Sequence, residues 1–295
     1  MKRREFIATA AVAAAAGIGS SATVRQPADS RSAGQPKPAP TGKGRLRQSV
    51  CRWCFSGMKL EDLCTNASAM GIQSVELLTE KEWDTPAKYG LGCAIGMGPT
   101  SIPNGFNRPE NHDKFVSELE RMLPIAKAAG IPQLIVFSGN RDGMDDKEGL
   151  RNCATGLRRI TPAAEKHGVT IIMELLNSKV DHHDHICDRT PWGADLVQAV
   201  GSPRFKLLYD IYHMQIMEGD VIRTVGEHFD SIAHYHTAGV PGRHELDDKQ
   251  ELNYRAICEA IMDKGFTGYL AQEFIPTGGR DPMTSLRQAV RVCDV

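Results

Sequence analysis

The stretch His167-Gly168-Val169-Thr170-Ile171-Ile172-Met173-Glu174-Leu175-Leu176-Asn177 decides the fold. An amphipathic helical pattern over Lys147–His167 stops at Gly168, the residue best suited to the left-handed C-cap of a helix. A short apolar run follows, of the length and texture of a strand buried on both faces. One carboxylate, Glu174, stands near its end. Ala128-Ala129-Gly130-Ile131-Pro132 and Lys264-Gly265-Phe266 show the same passage from helix through Gly to strand.

Outward from this point, short apolar runs alternate with longer amphipathic stretches from Leu46 to the C-terminus. The predicted strands are Ser49–Phe55, Ser74–Leu78, Gly92–Met97, Gln133–Ser138, Thr170–Leu176, Phe205–Ile211, Ser231–Thr237 and Tyr269–Ile275. The predicted helices include Lys59–Met70, Pro109–Ala129, Lys147–His167, Trp192–Val200, Val221–His228, Tyr254–Lys264 and Met283–Cys293. Eight strands in about 250 residues fit a single (β/α)8 TIM barrel of the α/β class, spanning 46–295. An open doubly wound sheet is the competing architecture, but no glycine-rich phosphate fingerprint follows the first strand.

The N-terminus reads differently. Lys2-Arg3-Arg4-Glu5-Phe6 precedes the Ala-rich run Ala8–Ile18 and the small residues Gly19–Ala22. Charge, apolar run and small residues in that order are a signal peptide, and the Arg pair gives residues 1–22 a twin-arginine character. The run is too short and Ala-rich for a bilayer anchor, which needs roughly 20 strongly apolar residues. Residues 23–45, rich in Pro, Ser, Gly and Gln, are read as a flexible linker. The expectation is an exported, periplasmic bacterial protein carried by the twin-arginine export machinery.

Composition is that of an ordinary globular chain, 41% hydrophobic and 24% charged, so a sizeable core is feasible. Of the 35 Lys/Arg and 36 Asp/Glu, eight and two lie in residues 1–45, so 27 basic and 34 acidic residues leave 46–295 at net −7. An acidic body repels a phosphate backbone, and no nucleic-acid partner is expected. All eight cysteines fall in 51–293. Cys51-Arg52-Trp53-Cys54 has redox or zinc spacing, but no second close pair accompanies it. It also reads as a strand, where positions three apart face opposite sides, so buried free thiols are expected.

In such a barrel, polar residues at the C-terminal ends of the strands form the active site. The last four strands each carry an ionisable group there: Glu174, Asp210 in Tyr209-Asp210-Ile211, His236 in His234-Tyr235-His236, and Glu273 in Gln272-Glu273-Phe274. One buried carboxylate is readily explained by an Arg or Lys partner. Three at one rim repel, and a divalent cation is the simplest remedy. Hard oxygens with one imidazole suit Mn2+, Mg2+ or Co2+, with Zn2+ not excluded. His234 and His236 share a strand face. The later one lies nearer the rim and is the expected ligand, while His234 fills a lower layer or orients its neighbour. His213, three residues past Asp210, is either a substrate contact or a surface histidine.

These segments resemble the sugar isomerase/epimerase superfamily of xylose-isomerase-like barrels, within it the hydroxypyruvate isomerase branch. The resemblance rests on Asp210-Ile-Tyr-His213-Met-Gln-Ile-Met-Glu218-Gly-Asp220 and on Pro241-Gly-Arg243-His-Glu245 followed by Glu251-Leu-Asn253-Tyr254. Glu174-Leu-Leu-Asn177 and Gln272-Glu273-Phe-Ile-Pro276 complete it. It implies that Glu174, Asp210, His236 and Glu273 hold one divalent metal, that Glu174 and Glu273 are also the catalytic acid/base pair, and that His213 and Arg243 bind substrate oxygens. It also implies a metal-dependent isomerase of small hydroxy-aldehydes and ketones working through a cis-enediolate. Three features depart from that branch: His236 where Gln is usual, the export leader, and the His-rich segment Lys179–Asp188, which is read as a specificity loop whose histidines are either merely solvated or a second metal site.

The alternatives are a ketose 3-epimerase or a keto-glycoside lyase or hydrolase on the same site. An abasic-site endonuclease shares the fold and the Asp-x-x-His motif, but needs histidines on early strands, and Ser74–Leu78, Gly92–Met97 and Gln133–Ser138 contain none. A non-catalytic sugar-binding protein would not need both glutamates. The expected partner is a small carbohydrate or hydroxy-carbonyl substrate, with a homo-oligomer left open.

Overall fold

Alternation along the fifth apolar run sets the inside and outside of the molecule. Ile171, Met173 and Leu175 pack outward against the helices, whereas Ile172 and Leu176 belong to a separate cluster inside the sheet with Ile95, Ile135, Phe137 and Leu208. Glu174 lies between Ile172 and Leu176, so the period of two turns it into that interior. The structure is a computed structural model and describes residues 44–295. The expected leader over 1–22 and the linker through residue 43 lie outside the described residues.

Among the described residues, eight strands form one parallel sheet: β1 (Arg47–Cys51), β2 (Ser74–Glu76), β3 (Ile95–Met97), β4 (Gln133–Val136), β5 (Thr170–Leu175), β6 (Phe205–Asp210), β7 (Ile232–Thr237) and β8 (Tyr269–Gln272). Their order is β2-β1-β8-β7-β6-β5-β4-β3. The two ends meet only through the isolated bridges Ser74↔Gly92 and Leu78↔Gly96, so the (β/α)8 barrel is nearly closed. At that seam a Cβ on Gly96 would lie 2.6 Å from the indole of Trp83, whose Nε1–H donates to the Leu78 carbonyl at 3.0 Å. The close approach needs glycine there.

The α-helices are α1 (Leu60–Ala69), α2 (His112–Ala128), α3 (Asp146–His167), α4 (Thr190–Val200), α5 (Ile211–Met217), α6 (Val221–His228), α7 (Tyr254–Asp263) and α8 (Pro282–Val292). Their apolar faces close the outer core. Asp145 caps α3 by accepting from the backbone N–H groups of Lys147 and Glu148, and Gly168 ends it with φ 69°.

Three of the differences from the sequence expectation bear on the site. Residues 52–55 do not continue the first strand but turn into a 3-10 helix, so Cys51 and Cys54 are not separated as opposite faces of a strand. Phe55 drives that turn by packing edge-on against Phe274, with ring centroids 6.0 Å apart. The eighth strand ends at Gln272, one residue before Glu273. The sixth ends at Asp210, which caps α5 by accepting from Tyr212 N at 2.8 Å and His213 N at 3.3 Å. All eight cysteines are free, and all but the half-buried Cys54 are buried.

Candidate metal centre

The C-terminal rim of β5 to β8 brings together Glu174, Asp210, His236 and Glu273. Asp210 and His236 are register partners across β6 and β7. One ligand atom from each of the four lies within 4.8 Å of the others, and all four residues are buried. His236 Nδ1 is 3.0 Å from Glu273 Oε2 and 3.5 Å from Glu174 Oε1. His234, one pair lower on the same face, is outside this cluster.

Side chains from the β7–α7 loop, the turn after β1 and α5 reach into it. Arg243, held at φ 60°, donates from Nη2 to Glu273 Oε2 at 2.6 Å and lies 3.4 Å from Asp210 Oδ2. Its guanidinium packs over Trp53 at 5.1 Å and Tyr212 at 5.3 Å, and its Nε has no partner. Trp53 Nε1–H donates to Glu273 Oε1 at 2.7 Å. His213 is fully buried, so the surface reading of this residue is excluded. Asn177 Nδ2 donates to His213 Nδ1 at 2.6 Å. That bond puts the imidazole proton on Nε2, which faces Asp210 Oδ2 at 3.5 Å without a hydrogen bond.

Charge and burial set these groups apart. Burial, then the neighbouring Glu273 charge, raises Glu174. Burial raises Asp210 well above the usual carboxylate range, with Arg243 opposing and Glu273 adding to the rise. Burial also acts against Glu273, but His236, Arg243 and the Trp53 bond hold it well below that range. Burial disfavours the His236 imidazolium, yet Cys51, Glu273 and Glu174 outweigh it and raise this group. Burial and Arg243 push His213 down, so it is neutral.

The donor set fits a divalent cation. Three buried carboxylates face one another, the sole Arg among them satisfies Glu273 and Asp210, and Glu174 Oε1 has no hydrogen-bond partner. An oxygen-rich set with one imidazole is the chemistry of Mn2+, Mg2+ or Co2+. A cavity of about 700 Å3 opens beside it, with Glu174, Glu273, Arg243 and His182 on one wall and mainly apolar residues such as Met97 and Phe137 on the other.

The His-rich segment divides by position. His182 lines the cavity, its ring 5.2 Å from that of His213, and His183 is exposed. His185 is buried and hydrogen-bonded to Ser138 Oγ at 3.0 Å. Among the described residues, neither metal-capable cluster includes a residue of this segment, which corrects the reading of a second metal site there. Burial, then His182, pushes the His185 pKa down from 6.5 to about 3. The unfolded chain therefore binds the extra proton between those values, and stability falls as pH drops through that window. From pH 6.5 to 5 the loss from this group is roughly 1–2 kcal/mol. Denaturant unfolding across this range should show a shallower slope for His185→Gln, and an unchanged slope would refute the assignment.

Glu76, at the end of β2, was missed by the sequence reading. It is fully buried, with Oε1 2.9 Å from His236 Nε2 and 3.0 Å from His234 Nε2. Its signal was present: Ser74-Val75-Glu76-Leu77-Leu78 is an apolar run holding one carboxylate, like that of Glu174. Trp53 and Asn177 were also missed, since nothing local marks either as a neighbour of the centre.

Comparison with known proteins places the chain. Residues 64–294 match the sequence model of the xylose isomerase-like TIM barrel. A human protein named "Putative hydroxypyruvate isomerase" is 26% identical over 223 residues, covering 74% of this chain and 76% of the relative. The 2-oxo-tetronate isomerase of Cupriavidus necator is 32% identical over 174 residues, covering 58% of this chain and 65% of the relative. The crystal structure of D-psicose 3-epimerase in the presence of D-fructose superposes with a TM-score of 0.71 at 15% identity, over 85% of this chain and all of that one. The relatives named isomerases support an enzyme. Strand order and sequence agree, and the chain belongs to the xylose isomerase-like TIM-barrel family.

Proposed function

We propose that this protein is a divalent-metal-dependent isomerase of small hydroxy-carbonyl compounds, of the hydroxypyruvate isomerase type. The observation that carries the reading is the pair Glu174 and Glu273, two buried carboxylates that both approach Nδ1 of His236 and have pKa values pushed in opposite directions. The names of the relatives support the same reaction class.

Glu174, Asp210, His236 and Glu273 would hold the cation, which when bound polarises the substrate carbonyl and acidifies the adjacent C–H. One of the two glutamates removes that proton, giving a cis-enediolate. Arg243 and the Nε2–H of His213 are donors placed for its oxygens. The other glutamate, protonated beforehand, delivers its own proton, and exchange of both carboxyls with water restores the starting state. Delivery to the neighbouring carbon completes an isomerisation, and delivery to the opposite face of the same carbon completes an epimerisation.

The cavity favours a second reading. At about 700 Å3 it lies in the range that encloses drug-sized ligands, roughly 300–1,000 Å3, and exceeds a three-carbon acid several-fold. A ketose 3-epimerase or a keto-glycoside lyase or hydrolase would use that space. Purified protein loaded with Mn2+, Mg2+ or Co2+ should be incubated in deuterated water with hydroxypyruvate, 2-oxo-tetronate, ketoses and 3-keto-glycosides. Metal-dependent deuterium entry at the carbon beside the carbonyl is expected, and the product identifies the outcome. Binding without exchange for every compound would point instead to a sugar-binding protein, and cleavage of abasic DNA to the endonuclease.

A further inference from the structure

Glu76 lies on the far side of His236 from the candidate cation site. No Lys or Arg reaches it among the described residues: its polar neighbours are the two imidazoles of β7 and the Cys51 thiol, whose Sγ is 3.8 Å from Glu76 Oε1. The two imidazole contacts are not equivalent. His236 Nε2 makes an aligned 2.9 Å hydrogen bond to Oε1. His234 Nε2 approaches the same oxygen to 3.0 Å but off the N–H direction, and neither of its ring nitrogens is satisfied.

A neutral imidazole has one N–H and one lone pair. A carboxylate accepts only, so the bond to Glu76 requires the proton on Nε2 of His236. Nδ1, which faces Glu273 and Glu174, is then the nitrogen that gives up its proton when a cation binds and turns a lone pair toward it. We infer that Glu76 is a positioning residue, which fixes the tautomer and ring orientation of His236 so that Nδ1 is presented to the divalent cation. A carboxylate behind a histidine ligand also raises the basicity of its donor nitrogen. The inference rests on the proposed cation site. The position on β2 matters: the strand adjoins β1, not β7, so the contact crosses the barrel interior.

The test uses the whole chain, with Zn2+ as a diamagnetic probe. Affinity is measured by competition with a chromophoric chelator, and the proton of His236 is located by 15N NMR of histidine-labelled protein. Glu76→Gln, whose amide can turn a donor toward Nε2, should weaken Zn2+ binding roughly 10- to 100-fold, while His234→Phe changes it by less than about threefold. Native-like NMR dispersion of the metal-free Glu76→Gln protein, even if it melts lower than the parent, separates a lost ligand orientation from a lost fold. Zn2+ affinity of Glu76→Gln within about threefold of the parent would overturn the inference. So would a His236 proton on Nδ1 in the Zn2+-loaded parent, a measurement that needs no variant. Two Zn2+ per chain, with one lost in Cys51→Ser, would overturn it too, because Cys51, Glu76 and His236 would then be ligands of a second ion. A parent that binds no divalent cation would fail the proposed function itself, a result distinct from all of these.

Discussion

Glu174→Gln and Glu273→Gln should each lower kcat by about 10²- to 10⁴-fold while the barrel persists, because each removes a proton acceptor from the pair that moves the substrate proton. The two variants should differ in stability. Glu174 is buried with one oxygen unpartnered, and burial raises its pKa. Replacing it with a neutral amide removes a poorly compensated charge, so its metal-free form should melt at or above the parent. Glu273 receives Arg243, Trp53 and His236 at 2.6–3.0 Å. Removing its charge leaves the Arg243 guanidinium with Asp210 alone, and breaking such a buried pair costs roughly 3–5 kcal/mol. Steady-state kinetics, deuterium wash-in and thermal melts on purified variants check both halves. Near-parental turnover in either variant would sink the acid/base assignment.

Chelation should abolish turnover and lower the melting temperature together. Glu174, Asp210 and Glu273 converge with only Arg243 and His236 to offset them, so a bound dication relieves repulsion present in the folded state and absent from the unfolded one. With free metal at about a thousandfold its Kd, the linkage is worth about 4 kcal/mol. For a chain of this size that corresponds to a fall of roughly 8–16 °C on metal removal. Restoring Mn2+, Mg2+, Co2+ or Zn2+ in turn should recover both quantities in the same order. A chelated protein that keeps its activity and its melting temperature would show that the cluster holds no functional cation.

The barrel and much of its centre were legible in the sequence because their signals are local. Gly168 follows its helix directly and ends it without reference to the rest of the chain. Glu174, Asp210, His236 and Glu273 are each polar residues near the end of an apolar run, and alternation along a strand is enough to turn them inward. Contacts between distant segments were not legible. The turn at Arg52–Phe55 depends on Phe55 meeting Phe274, and the Trp53 bond to Glu273 spans 220 positions of chain. His213 is buried because Asp210 starts a helix that folds it back beside Asn177. Glu76 had the same local signal as Glu174, but its partners stand on β7 across the barrel. Strand parity decided which side chains enter the interior, since it depends only on neighbours in the chain. Barrel closure decided which of them meet, because it brings together strands that are far apart in sequence.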